Sequence, residues 1–137
     1  MLGLFNKSKK RTERAKILIV DDEPDLVDTI KRRLKFFDWD ITTASNGKEA
    51  LEIVSNEKPD LIVLDIDMPV MDGHEMLRRL REQLDLRETP VIMCTKSDKV
   101  QDITMASSNN ISDYITKPFD LLDLTEKIAA ALKSRDD

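Results

Sequence analysis

Glycine is scarce in this sequence: Gly3, Gly47 and Gly73 are all there is in 137 residues. No glycine-rich loop follows the first apolar run, which disfavours a dinucleotide-binding domain. Cysteine is scarcer still. Cys94 alone cannot form an internal disulfide, and inside the apolar run Val91–Cys94 it reads as a buried, inert thiol. No apolar run approaches the roughly 20 residues of a bilayer-spanning helix. The first sixteen residues lack an apolar centre followed by a small-residue cleavage site, so they make a poor secretory signal. These absences together lead to the expectation of an intracellular protein.

What is present fits one compact soluble domain. Apolar residues make up 40% and charged residues 36%, enough for a core under a heavily charged surface. The net charge of −5 conceals an asymmetry. Residues 1–16 carry Lys7, Lys9, Lys10, Arg11, Arg14 and Lys16 against Glu13, a net of +5, which leaves −10 on the rest. An acidic body argues against nucleic-acid binding by the domain itself. The basic head, with Met1, Leu2, Leu4 and Phe5 beside it, could contact an anionic membrane surface. A disordered, solvated tail over residues 1–15 is the favoured reading.

Five short apolar runs alternate with helical patterns. The runs are Ile17–Val20, Trp39–Ala44, Leu61–Leu64, Val91–Cys94 and Tyr114–Thr116. Between them apolar residues recur at helical spacing, as in Leu26, Val27, Ile30, Leu34 and Phe37, and again in Met76, Leu77, Leu80 and Leu84. A weaker pattern, Val100, Ile103 and Ala106, marks the fourth helix, and Leu121, Leu124, Ile128 and Leu132 mark the fifth. Alternation at this pitch implies βαβ units: an α/β, doubly wound, five-stranded parallel sheet covered on both faces. The run Trp39–Ala44 alternates polar and apolar residues, which suits an edge strand and the order 2-1-3-4-5. Pro24 suits a helix start, and Asn46-Gly47 and Asp72-Gly73 mark turns entering helices. The domain is expected over residues 16–134, with a short tail at 135–137.

The stretch LIVLDIDMPVMDGHEM, residues 61–76, poses the functional question: an apolar strand ends at a carboxylate. In an open parallel sheet, ligands gather outside the carboxyl ends of the strands. There the first strand ends in Asp21-Asp22, the third in Asp65, the fourth in Thr95, and the fifth runs into Lys117-Pro118. Three like charges in one pocket repel unless something neutralises them. A hard divalent cation does so, and Mg²⁺ suits a site of few carboxylates, water and a phosphoryl oxygen. A carboxylate beside such an ion can act as a nucleophile toward phosphorus, with Lys117 and Thr95 as donors to the phosphoryl oxygens. Each residue also has an ordinary explanation. A strand-end aspartate is often a solvated loop start, Asp22 or Asp25 could cap the helix at Pro24, Thr95 could simply pack, and Lys117 could be a surface lysine. Those explanations leave the convergence at one sheet end unaccounted for. His74 is expected to be an exposed helix-start residue and Trp39 to pack on the edge strand.

The motifs ILIVDDEP, LIVLDIDMPVMDG, PVIMCT and DYITKPF, in this order, resemble the receiver domain of two-component response regulators, of the single-domain, stand-alone type. The resemblance covers about residues 16–134 and implies the flavodoxin-like receiver fold. It implies Asp65 as phosphoacceptor and Mg²⁺ held by Asp22, Asp65 and the backbone carbonyl of Asp67, with Asp21 acting through water. Lys117 would pair with the acceptor or its phosphoryl group. Thr95 and Tyr114 would be the switch pair, and a cis bond is expected at Lys117–Pro118. The implied donor is a histidine kinase or a histidine phosphotransfer protein. The implied output is an unknown downstream protein bound at the face made by the fourth helix, fifth strand and fifth helix, or a phosphorelay. The chain is expected to be cytoplasmic, a monomer or weak dimer, and not a turnover enzyme, with no output domain after Lys133.

The sequence departs from the family pattern in two places. Lys96 follows Thr95 where the family usually has a small residue; it could point outward, reach the phosphoryl group or crowd the mouth. Ser107-Ser108-Asn109-Asn110 would weaken the end of the fourth helix, so that helix is expected to be short or mobile. Two rival readings follow. One is a pseudo-receiver, a phosphorylation-independent binding module. The other is an Asp-x-Asp phosphatase built on Asp65-Ile66-Asp67, disfavoured because that motif ends the first strand of a larger fold in such enzymes.

Overall fold

The computed structural model describes residues 14–96 and 111–136. The expected fourth helix and most of the N-terminal tail lie outside the described residues. Five strands form the sheet: β1 (Ala15–Val20), β2 (Trp39–Ala44), β3 (Leu61–Asp65), β4 (Val91–Lys96) and β5 (Asp113–Lys117). Among the described residues three helices connect strands, α1 (Pro24–Leu34), α2 (Gly47–Glu57) and α3 (Gly73–Glu82), and a C-terminal helix spans Leu121–Asp136. The strand order is β2-β1-β3-β4-β5 and every pairing is parallel. The last helix runs past Lys133, where the sequence suggested an end, to Asp136.

Strand periodicity divides the core in two. Leu18, Val20, Ile62, Leu64, Val91 and Met93 point to one face, where Ala50 and Val54 of α2 and Met76, Leu77 and Leu80 of α3 cover them. Ile17, Ile19, Leu61, Val63, Ile92 and Cys94 point to the other, under Ile30 and Leu34 of α1 and Leu124, Ile128 and Leu132 of the C-terminal helix. Because both faces are covered, β3 is buried along its whole length and reads as an unbroken apolar run. Strand β2 is an edge with half-exposed positions, which explains its alternation. At its start Trp39 stacks on Phe37 with ring centroids 4.5 Å apart and planes within 9°.

The helix starts follow local chemistry. Asn46 caps α2 through the Glu49 N–H at 2.8 Å, and Asp72 caps α3 through the Glu75 N–H at 2.9 Å. Pro24 opens α1, but Glu23 stands at its N-cap and makes no side-chain capping bond. Neither Asp22 nor Asp25 is the capping residue there. Cys94 is buried, and that burial pushes its thiol up to about 12, so it is an inert core group. Among the described residues, no helix is long and apolar enough to cross a membrane.

Candidate functional site

Register brings the strand-end groups together. Val20 lies beside Leu64, so Asp21 and Asp65, the next residue of each strand, emerge as neighbours. Asp65 pairs with Cys94, Thr95 with Thr116 and Lys96 with Lys117. Among the described residues, the buried polar side chains are Asp21, Asp65, Thr95 and Thr125. The first three sit at this one rim. Buried polar groups persist where they are paired or used, so their concentration marks the site.

Lys117 ties the rim together. Its Nζ lies 2.7 Å from Asp21 Oδ2, 3.4 Å from Asp65 Oδ2 and 3.7 Å from Glu23 Oε1. The Lys117–Pro118 bond beside it is cis, as expected from the sequence. Asp21 Oδ1 accepts the Glu23 N–H at 2.9 Å, and Asp65 Oδ1 accepts the Asp67 N–H at 3.3 Å. Burial pushes the Asp65 carboxyl up to about 6, and Asp21 adds to the rise, while Lys117 and the Asp67 amide oppose it. Burial pulls the Lys117 ammonium down, but the bond and charge of Asp21, helped by Asp65 and Glu23, more than reverse it, so its pKa ends raised.

One oxygen each from Asp21, Asp22 and Asp65 lies within 4.8 Å of the others. Asp22 is exposed while its two companions are buried, so the cluster opens to solvent on one side. Lys117 brings one positive charge to three carboxylates, which leaves the cluster net negative. An all-oxygen donor set, uncompensated charge and an open side together suit a hard divalent cation that keeps some of its water.

Thr95 is buried, and its hydroxyl donates to the Lys96 carbonyl at 3.1 Å. Tyr114 is 43% exposed on β5. Lys96 is exposed at the end of β4. His74, expected to be exposed, is half-buried as the second residue of α3, because Gly73 brings that helix start hard against β3.

Two features of this rim were not recognised from the sequence. A Cβ on Gly73 would fall 2.5 Å from the Asp65 carbonyl oxygen and 2.8 Å from the Ile66 Cα, so glycine is required for close approach rather than for turn geometry. The Gly73 N–H donates to the Ile66 carbonyl at 2.9 Å and anchors the loop to the end of β3. Within that loop Val70 has φ of 72°, and the Met71 N–H closes on the Pro69 carbonyl at 2.8 Å, a strained turn for a β-branched residue.

This geometry agrees with a family model. Residues 17–129 match the response regulator receiver domain. The chain belongs to that family. As a receiver domain it is 39% identical over 118 residues to the alkaline phosphatase synthesis transcriptional regulatory protein PhoP of Bacillus subtilis (strain 168), a match covering 86% of this chain and 48% of PhoP. It is also 39% identical over 118 residues to the transcriptional regulatory protein TrcR of Mycobacterium tuberculosis, covering 86% and 45%. The receiver domain thus spans about half the length of these curated relatives. Among solved structures, a CheY-like response regulator receiver domain protein from Methanospirillum hungatei JF-1 superimposes with a TM-score of 0.85 at 29% identity, covering 90% of this chain and 98% of that one. The receiver domain of sensor histidine kinase PA1611 from Pseudomonas aeruginosa PAO1 has a TM-score of 0.80 at 26% identity, covering 88% and 99%, and holds a magnesium ion in its active site cleft.

Proposed function

We propose that this receiver domain takes a phosphoryl group from a phosphohistidine donor onto Asp65. The observation that carries the reading is the convergence of Asp21, Asp22, Asp65 and Lys117 on one rim. A bound Mg²⁺, held by Asp22, Asp65 and the Asp67 carbonyl with Asp21 through water, would supply charge to the transferring phosphoryl oxygens. The Asp65 carboxylate attacks phosphorus, the phosphorus–nitrogen bond breaks, and the imidazole leaves with its electron pair. Lys117 holds the carboxyl side and then the new phosphoryl group. Thr95, now bonded to the Lys96 carbonyl, turns its hydroxyl toward that group, and the outward Tyr114 follows it. The charge change at one buried carboxyl thereby repacks the face around β5 and the C-terminal helix. The reaction modifies the protein itself rather than turning over a separate substrate. The donor is a histidine kinase or phosphotransfer protein, and the readout is protein contact, including contact with an effector domain of the kind the transcriptional relatives imply.

Incubation with acetyl phosphate and Mg²⁺ followed by intact mass tests the proposal, beside Asp65→Ala and an EDTA control. The expected result is one phosphoryl mass on the wild type and none in either control. No gain, with no Mg²⁺ binding by titration, would leave a phosphorylation-independent binding module. Steady release of phosphate from an added phosphomonoester would favour an Asp-x-Asp phosphatase.

A further inference from the structure

We infer that the end of the molecule opposite Asp65 docks on an anionic lipid surface through the basic close of α1. The segment Thr29–Phe37 carries Lys31, Arg32, Arg33 and Lys35 and no acidic residue, in a body whose net charge is −10 within the −5 of the chain. Ile30 and Leu34 face the core, so the four cations occupy the outer arc of the helix and all are exposed. Phe36 follows them at 85% exposure, in the turn that closes the helix, where its N–H donates to the Arg33 carbonyl at 3.3 Å. Cations surrounding an exposed aromatic ring form the combination that binds at a lipid headgroup interface, where the ring enters the apolar boundary and the cations meet phosphate.

A second basic side chain lies at the same end of the sheet. Arg14, where the described chain begins, donates to the Trp39 carbonyl at 2.9 Å and pairs with Asp38 at 3.3 Å and Asp40 at 3.2 Å. It therefore lies beside the residues that follow Phe36, and it pairs with the two acidic groups of that stretch. The Arg32–Asp28 pair, 2.8 Å long, is exposed on both sides and leaves Arg32 available. Because α1 returns from the carboxyl to the amino end of a parallel sheet, docking here leaves the Asp65 rim facing water, open to a protein donor.

The test is sedimentation of the full 137-residue chain with phosphatidylcholine vesicles, with and without about one third phosphatidylglycerol. Two variants accompany it: Lys31→Gln/Arg33→Gln/Lys35→Gln/Phe36→Ser, with the tail intact, and Leu2→Ser/Leu4→Ser/Phe5→Ser, with the patch intact. Circular dichroism and acetyl phosphate labelling monitor their folding. The expected result is binding to the anionic vesicles only, suppressed by salt, and weakened about tenfold or more in the helix variant. The proposal is overturned if the wild type does not sediment, if the helix variant binds as well as the wild type, or if duplex DNA competes the chain off the vesicles at equal charge.

Discussion

The two ends of the sheet treat charge in opposite ways. At the carboxyl ends, Asp21, Asp65 and Lys117 are drawn into the fold, their side chains only 4%, 3% and 10% exposed. At the amino ends, the ion pairs are solvated: Arg14–Asp38 has its partners 51% and 86% exposed, and Arg32–Asp28 78% and 58%. The same residue types therefore do different physics. Buried charges couple strongly, shift each other's protonation and can be driven by one added phosphoryl group. Exposed charges are screened within about 10 Å and mainly set a surface potential.

The contrast can be broken hardest at Lys117. Lys117→Met leaves Asp21 and Asp65 buried without their cation, and the expected loss of stability is about 3–5 kcal/mol in urea unfolding at neutral pH. Next is Gly73. Gly73→Ala forces a Cβ into the Asp65 backbone, and a loss of about 3 kcal/mol with poor acetyl phosphate labelling is expected.

Asp65 tests the buried end in the opposite direction. Its pKa in the fold, about 6, lies above the ordinary 3.8, so the folded chain holds that proton more tightly than the unfolded one. The favourable contribution is complete below pH of about 4 and is lost as pH rises through about 6. In EDTA at neutral pH, Asp65→Asn is therefore expected to unfold at higher urea than the wild type, by about 1–3 kcal/mol. The advantage should close as pH falls toward about 4, and a Tm series against pH measures it. Mg²⁺ should raise the wild-type Tm and leave Asp65→Asn nearly unmoved.

Smaller effects sharpen the comparison. Val70→Gly relieves the left-handed backbone beside the site, and a gain of about 1 kcal/mol is expected by thermal unfolding. At the solvated end, Arg32→Gln should change stability by less than about 0.5 kcal/mol, an effect that vanishes in high salt.

Much of this fold was legible because its sheet is covered on both faces. Continuous apolar runs such as Leu61–Leu64 and the alternating run Trp39–Ala44 separate inner strands from an edge without any coordinates. The site residues were legible for a related reason: strand ends are visible in sequence, and Asp21, Asp65, Thr95 and Lys117 all terminate or follow apolar runs. His74 was misplaced because its burial depends on how closely α3 approaches β3, which no local pattern records. Gly73 was read as turn punctuation, although the structure requires it for lack of space. The signal was present in Asp72-Gly73, but its cause lies in the backbone of Asp65, outside the local segment.

Sequence alone determined the elements, their order and the charge carried by each strand end, since periodicity and residue chemistry are local properties. The tertiary structure decided which of those charges face one another and how far each is removed from water. Lys117 stands 2.7 Å from a carboxylate 96 positions away because strand register, and no feature of either segment, sets that distance. The raised pKa of Asp65 follows from the same packing, because desolvation depends on everything folded around a group.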